Sequence, residues 1–294
     1  MNREEMLSIM PHRGRNVLVD EFELLEPGAG RATLTIAPGD PQGRDMFLVR
    51  DGDRLLYCAP FLVEHVALNS ILILRDDMGD GRLAYFSAVT KFEAHEVAEA
   101  GTPLVSNVIR TKDRRDFKAF RAEVETADGR PVLSANFMAF LAERGAALDT
   151  ATQAKPPEGF CCADAERLPC FDPCLAFCGD TDAEGRCGGV YPEDHPLCEG
   201  HFPGAPVMMG MTQWLAVAQR GALDAPAGES EILGDGALTL ADGTPVLDVS
   251  GLRAAVHKDV DGNVASLRIL ATRKVAFRGM VFPGDAFTAT FRSA

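Results

Sequence analysis

The chain has 294 residues, 46% of them hydrophobic, which is enough to fill two ordinary domain cores. Its formal charge of −14 argues against a nucleic-acid partner. No apolar run approaches the roughly 20 residues of a membrane span. No signal-type apolar stretch follows Met1-Asn2-Arg3-Glu4-Glu5, so the expected location is the cytoplasm.

In chain order, residues 1–10 read as a short amphipathic helix with Met6, Ile9 and Met10 on one side. Met10-Pro11-His12-Arg13 follows, and then a strand over residues 16–24. Gly28-Ala29-Gly30 makes a turn, and residues 31–36 alternate as a strand does. Residues 38–57 hold no histidine. A helix is predicted over residues 60–74, apolar nearly all round, as a helix wrapped by a sheet must be. Its polar exceptions are Glu64, His65, Asn69 and Ser70, and a buried carboxylate there needs a partner or a raised pKa. Strands are predicted over residues 83–89, 104–111, 117–124 and 132–141, with a turn at Asp128-Gly129. Residues 144–165 read as a linker, dividing a first domain, 1–143, from a second, 166–294.

Seven of the eight cysteines lie between Cys161 and Cys198, without the C-x2-C pair of common zinc and iron–sulfur sites, and read as reduced structural thiols. Next comes Gly200-His201-Phe202-Pro203-Gly204-Ala205-Pro206-Val207-Met208-Met209-Gly210, a glycine- and proline-shaped loop that feeds an apolar helical run over residues 211–218. A lone histidine beside a helix N-terminus suits a general base next to an oxyanion site. Two echoes suggest an internal duplication: Ala127-Asp128-Gly129-Arg130-Pro131-Val132-Leu133 with Ala241-Asp242-Gly243-Thr244-Pro245-Val246-Leu247, and, more weakly, Lys91-Phe92-Glu93-Ala94-His95-Glu96-Val97 with the segment from Lys274 to Asp285. The echoes occur in opposite order in the two halves. That leaves two possibilities: a rearranged strand order in the second half, or a shortened sheet completed by its neighbour.

The Gly200–Gly210 run resembles the Gly-His-Phe-Pro-Gly-x-Pro-Val-Met-Pro-Gly motif of the 3-hydroxyacyl-acyl-carrier-protein dehydratases. Nine of its ten fixed places match, and Met209 stands where that family has proline. The N-terminal segment is similar too, with Met10-Pro11-His12-Arg13 against Leu-Pro-His-Arg and Leu18-Val19-Asp20 against Leu-Val-Asp. The resemblance implies an α+β fold, here a double hot-dog in which two long antiparallel sheets each wrap a central helix. It also implies a loop histidine acting with a carboxylate on the partner subunit's helix. Within one chain that acid follows the histidine by fourteen residues, a position that here is Leu215.

The second half therefore has the histidine without the acid, while the first half offers Glu64 and His65 on its helix. Pairing Asn69 with Gln219 sets His65 opposite Leu215, and a shift of one residue sets Glu64 there; the chemistry favours Glu64. The expected site is composite, one per chain. The resemblance implies that His201 takes the Cα proton of a 3-hydroxyacyl thioester and Glu64 protonates the departing hydroxyl. The Gly210 N–H would polarise the carbonyl, and Phe202, Trp214 and Leu215 would line the acyl tunnel. His12, Arg13 and Asp20 read as structural, fixing the entry strand. No metal or organic cofactor is implied. The thioester would ride on acyl carrier protein or coenzyme A, and because carriers are acidic, the basic segment 110–118 is the candidate contact. Two such chains could pair as a homodimer of double hot-dogs. A hot-dog thioesterase and a non-catalytic acyl-binding partner are the competing expectations.

Overall fold

Two fifteen-residue helices set the architecture, each laid against one half of a continuous antiparallel sheet. The computed structural model describes residues 1–79, 81–143, 164–179 and 187–294. All of the expected linker except residues 164 and 165, together with Cys161 and Cys162, lies outside the described residues. In chain order the elements are α1 (Arg3–Ile9), β1 (Glu21–Glu26), β2 (Ala29–Leu34), β3 (Leu48–Asp51), β4 (Arg54–Tyr57), α2 (Ala59–Ile73), α3 (Arg75–Met78), β5 (Arg82–Ala94), β6 (Leu104–Arg114), β7 (Phe117–Thr126) and β8 (Pro131–Glu143). After them come β9 (Cys187–Val190), α4 (Gly210–Asp224), β10 (Gly228–Leu240), β11 (Pro245–Lys258), β12 (Val264–Thr272), β13 (Lys274–Phe277) and β14 (Ala286–Ser293). Sheet far outweighs helix, and no described helix is long and apolar enough to cross a membrane.

Local chemistry explains the ends and the close approaches. Asn2 caps α1 in a capping box with Glu5. A Cβ at Gly30 would lie 2.6 Å from the Phe22 ring and 2.9 Å from Ile73, so only glycine lets α2 close on β2. The polar residues of α2 mostly find partners: His65 Nδ1 bonds the Leu18 carbonyl at 2.6 Å, Asn69 donates to Ser106 at 3.1 Å, and Ser70 donates to the Ala67 carbonyl at 2.7 Å. Glu64 differs, because the imidazole that approaches it, His12 at 3.6 Å, comes from the N-terminal segment.

The sheet order is β1-β2-β6-β7-β8-β5 in the first half, continued by β12/β13-β11-β10-β14-β9 in the second. β5 forms the joint, with Val89 opposite Val275, Ala88 opposite Ala276 and Phe92 opposite Thr272. From the joint outward, the strands that follow α2 appear as first, fourth, third and second; those that follow α4 appear as third, second, first and fourth. These are one cycle entered at two different points. The two Asp-Gly turns, β7–β8 and β10–β11, therefore each join the second and third strands counted from the joint. They also share their bonds: Thr126 N–H to the Arg130 carbonyl and Leu240 N–H to the Thr244 carbonyl are both 2.9 Å, with Gly129 and Gly243 at φ of 85° and 88°. A rearranged strand order thus accounts for the inverted echoes. Because β5 pairs antiparallel with its own counterpart β12/β13, the halves face each other across a pseudo-twofold, and α2 packs on α4.

The strand expected from residue 16 starts at Glu21, because the preceding segment folds back onto the second half. Arg13 N–H donates to the Gly200 carbonyl at 2.8 Å, and the Asn16 amide donates to the Leu197 carbonyl at 3.0 Å. Asp20 bonds the Thr35 N–H at 2.7 Å and pairs with Arg44 at 2.6 Å, a purely structural knot. Cys58, Cys170, Cys174, Cys178 and Cys198 are free thiols.

Candidate active site

The N-terminal clamp delivers the loop histidine. A Cβ at Gly200 would sit 2.1 Å from the Arg13 carbonyl oxygen, so glycine is required where the two segments touch. Phe202 holds φ at 58°, a left-handed conformation that ordinary side chains avoid and functional loops retain. His201 is 7% exposed, and its Nδ1 lies 2.7 Å from the Val207 carbonyl. A carbonyl only accepts, so Nδ1 carries the proton and Nε2 keeps its lone pair. Burial pushes the His201 pKa down to about 4, against the opposing pull of that hydrogen bond.

Glu64, in the second turn of α2, is 6% exposed, and burial pushes its pKa up to about 7. It shares with His201 one cavity of about 420 Å³. Ala67, Ile71, Ala139, Phe140, Phe277 and Met280 give this cavity an apolar length, and half-exposed Phe117 also lines it. His65 lies outside it, turned to the Leu18 carbonyl, so of the two helix candidates only Glu64 faces the His201 loop. Phe202 is on the wall, with its ring edge-on to His201 at 4.8 Å. Gly210 is there as well, at the start of α4, where first-turn N–H groups have no partner within the helix. A Cβ at Gly210 would lie 2.6 Å from the Phe277 ring.

Two residues expected on the tunnel wall lie away from this cavity. Trp214 is fully buried, edge-on to Phe92 at 5.3 Å, and does not line the cavity. Leu215 lines a separate pocket of about 100 Å³ beside Cys58, Ala59 and Pro60 at the start of α2. The pseudo-twofold is the reason. The cavity meets α4 only in its first turn and then follows α2, so the α4 counterpart of Glu64 faces the opposite pocket.

Two residues join the site unannounced. His12 is 2% exposed, its Nε2 is 3.6 Å from Glu64 Oε1, and its ring packs 5.2 Å from that of His201. Burial first, then the His201 and Arg13 charges, hold its pKa well below the usual imidazole range. Gln213 lines the cavity with its buried Oε1 lacking a hydrogen-bond partner, while its amide nitrogen donates to the Met208 carbonyl at 3.2 Å. Among the described residues, His12, Glu64 and His201 form the one group whose ligand atoms converge as a metal site requires, within 4.8 Å of one another. A ligating histidine ordinarily donates its second ring nitrogen to an oxygen; His201 does so, whereas His12 Nδ1 is buried without a partner. The set fits proton transfer better than metal binding. The basic segment 110–118 lies on the β6–β7 hairpin, with Arg110 and Lys118 both paired to Asp113.

No protein-family model matches the chain, and no curated protein matches it. Solved structures similar to it include the dehydratase heterocomplex ApeI:P of Xenorhabdus doucetiae, at 14% identity, covering 47% of this chain and 91% of that one, with a TM-score of 0.39. A hypothetical thioesterase of Streptococcus pneumoniae with coenzyme A shares 11% identity over 48% of this chain and 97% of its own, with a TM-score of 0.35. The thioesterase PA1618 of Pseudomonas aeruginosa, as a mutant, shares 10% over 48% and 93%, with a TM-score of 0.38.

Proposed function

We propose that the chain dehydrates 3-hydroxyacyl thioesters to trans-2-enoyl thioesters at one composite site formed between two hot-dog units, 1–143 and 166–294. One observation carries the reading: a neutral buried histidine with a free Nε2 and a buried, protonatable carboxyl from the other half line the same apolar cavity. His201 Nε2 takes the Cα proton. The C3–O bond breaks, and the hydroxyl leaves as water with the proton of Glu64. N–H groups of the first turn of α4, Gly210 among them, stabilise the enolate-like oxygen of the thioester. The acyl chain lies along α2 and Phe140, and the carrier is acyl carrier protein or coenzyme A.

Thioester hydrolysis is the second reading. It needs Glu64 ionised, as base or nucleophile. Burial that raises the carboxyl to about 7 keeps it largely protonated through the mildly acidic range, and this supports acid catalysis instead.

The test is incubation with 3-hydroxyacyl and trans-2-enoyl thioesters of both carriers, read by mass spectrometry. Gain or loss of water is expected, falling about 10²–10⁴-fold in His201→Ala and in Glu64→Gln. Release of free acid without water exchange would establish hydrolysis instead.

A further inference from the structure

We propose that His12 is a positioning residue of this site: its Nε2–H holds one oxygen of Glu64, so that the other oxygen carries the acid proton into the cavity. The proposal rests on the dehydration reading for its kinetic consequence, but its structural content stands apart from it.

The tautomer follows from burial. His12 Nδ1 is buried with no hydrogen-bond partner, while Nε2 is 3.6 Å from Glu64 Oε1. An orphaned N–H is rarer and costlier in a protein interior than an under-used acceptor. The ring therefore places its proton on Nε2, toward the carboxyl, and leaves the lone pair on Nδ1. At 3.6 Å the contact is slightly longer than a hydrogen bond, as catalytic contacts commonly are before substrate binds.

The ring cannot easily turn away. His201 and Phe202 pack on it at 5.2 and 5.5 Å, and its segment is fastened to the loop through Arg13 to Gly200 and Asn16 to Leu197. The Arg13 guanidinium does not compete for Glu64, because it donates to the Met10 and His12 carbonyls at 2.7 Å.

The chemical use is specific. Glu64 gives up a proton in a buried place, and the carboxylate left behind is otherwise poorly solvated. The other titratable or charged groups on the cavity wall are His201, Tyr85 and Arg278. His201 receives a proton in the same step, and Arg278 pairs with Asp248 at 2.9 Å. A neutral N–H donor at Oε1 stabilises the carboxylate as it forms, without placing a fixed charge beside His201. His12 is thus to Glu64 what an orienting partner is to a catalytic histidine.

The experiment has three readouts. The ¹⁵N spectrum of the wild-type protein, with His12 assigned by its loss in His12→Gln, is expected to show the Nε2–H tautomer; the Nδ1–H tautomer would overturn the proposal even if other variants fail to fold. Titration of the Glu64 carboxyl by ¹³C signals is expected to move up by about one pH unit in His12→Phe and to return toward wild type in His12→Gln, which keeps an N–H donor. An unmoved Glu64 titration in both variants would also overturn it. In turnover, His12→Phe is expected to lower kcat about tenfold at constant KM, with the alkaline limb following the Glu64 shift. If the Glu64 shift appears and no variant exchanges water, including wild type, the dehydration reading fails and the positioning role of His12 remains.

Discussion

Replacing Glu64 with glutamine tests the electrostatics of the site without any substrate. The amide keeps the shape and removes the titration. In the folded protein burial raises the Glu64 carboxyl from the ordinary 4.5 to about 7. The folded state therefore holds this proton more tightly than the unfolded chain, and the sign follows. Below pH 4.5 the carboxyl is protonated in both states and costs nothing extra; between 4.5 and 7 the unfolded chain ionises first and wild type loses stability; above 7 the loss is constant. A rise from 4.5 to about 7, at 1.36 kcal/mol per unit, gives about 3 kcal/mol. That is a large part of the usual 5–15 kcal/mol of a domain. His12, His65 and His201, held low by burial, lose their stabilising contribution as pH falls from 6.5, but they do so in both proteins. Urea unfolding of wild type and Glu64→Gln at several pH values from 4.5 to 8 should show equal stability at the acid end. The variant should gain about 3 kcal/mol by pH 7.5, with unchanged m-values. A difference that stays flat with pH would refute the buried, raised carboxyl on which the proposed acid role of Glu64 depends.

Other outcomes follow from the same geometry. Turnover should form a bell, falling on the acid side near 4 as His201 gains a proton and on the alkaline side near 7 as Glu64 loses one; kcat/KM measured from pH 3.5 to 9 checks this. His65→Ala should cost about 1–3 kcal/mol by leaving the Leu18 carbonyl unpaired, yet keep the alkaline limb near 7, as a pH–rate profile beside urea melts would reveal. Gly200→Ala would drive a Cβ to 2.1 Å from the Arg13 oxygen, and the lost clamp should lower stability by more than about 2 kcal/mol and remove turnover together.

Much of this was legible where chemistry is local. The all-round apolar pattern located α2 within one residue at each end, because a wrapped helix cannot hide its composition. The two Asp-Gly turns read from the sequence join corresponding strands of the two half-sheets, since turn geometry constrains residue type wherever it recurs. What stayed hidden was long-range. His12 reads as structural, fixing the entry strand, and nothing in Met10-Pro11-His12-Arg13 says that its ring will lie against a histidine 189 positions later. Likewise Leu215 is expected in the His201 cavity when counted along one chain. Only the pseudo-twofold, set by β5 meeting β12 and β13, sends it to the opposite pocket. The one-residue ambiguity between Glu64 and His65 was a matter of helix phase, and the hydrogen bond from His65 to Leu18 fixes that phase.

Under the proposed dehydration, the same symmetry leaves the chain one site and not two. His201 stands nine residues ahead of the first residue of α4; nine residues ahead of α2 is Arg50, exposed on the β3–β4 hairpin. The pocket beside Leu215 therefore lacks a base delivered by a helix-entry loop. The histidine that does line it, His95, is exposed at the far end of β5 and bonded to Ser134 at 3.1 Å. Restoring the acid alone, as Leu215→Glu, should therefore leave turnover per chain unchanged. It should instead create a second buried carboxyl whose folded pKa is raised. The variant should be near wild-type stability at pH 4.5 and lose stability progressively as pH rises toward neutrality, the direction worked out above for Glu64. Urea melts across pH with parallel turnover measurements decide it: a gain in turnover would mean that the second pocket had kept a working base, and the case for a single composite site would fall.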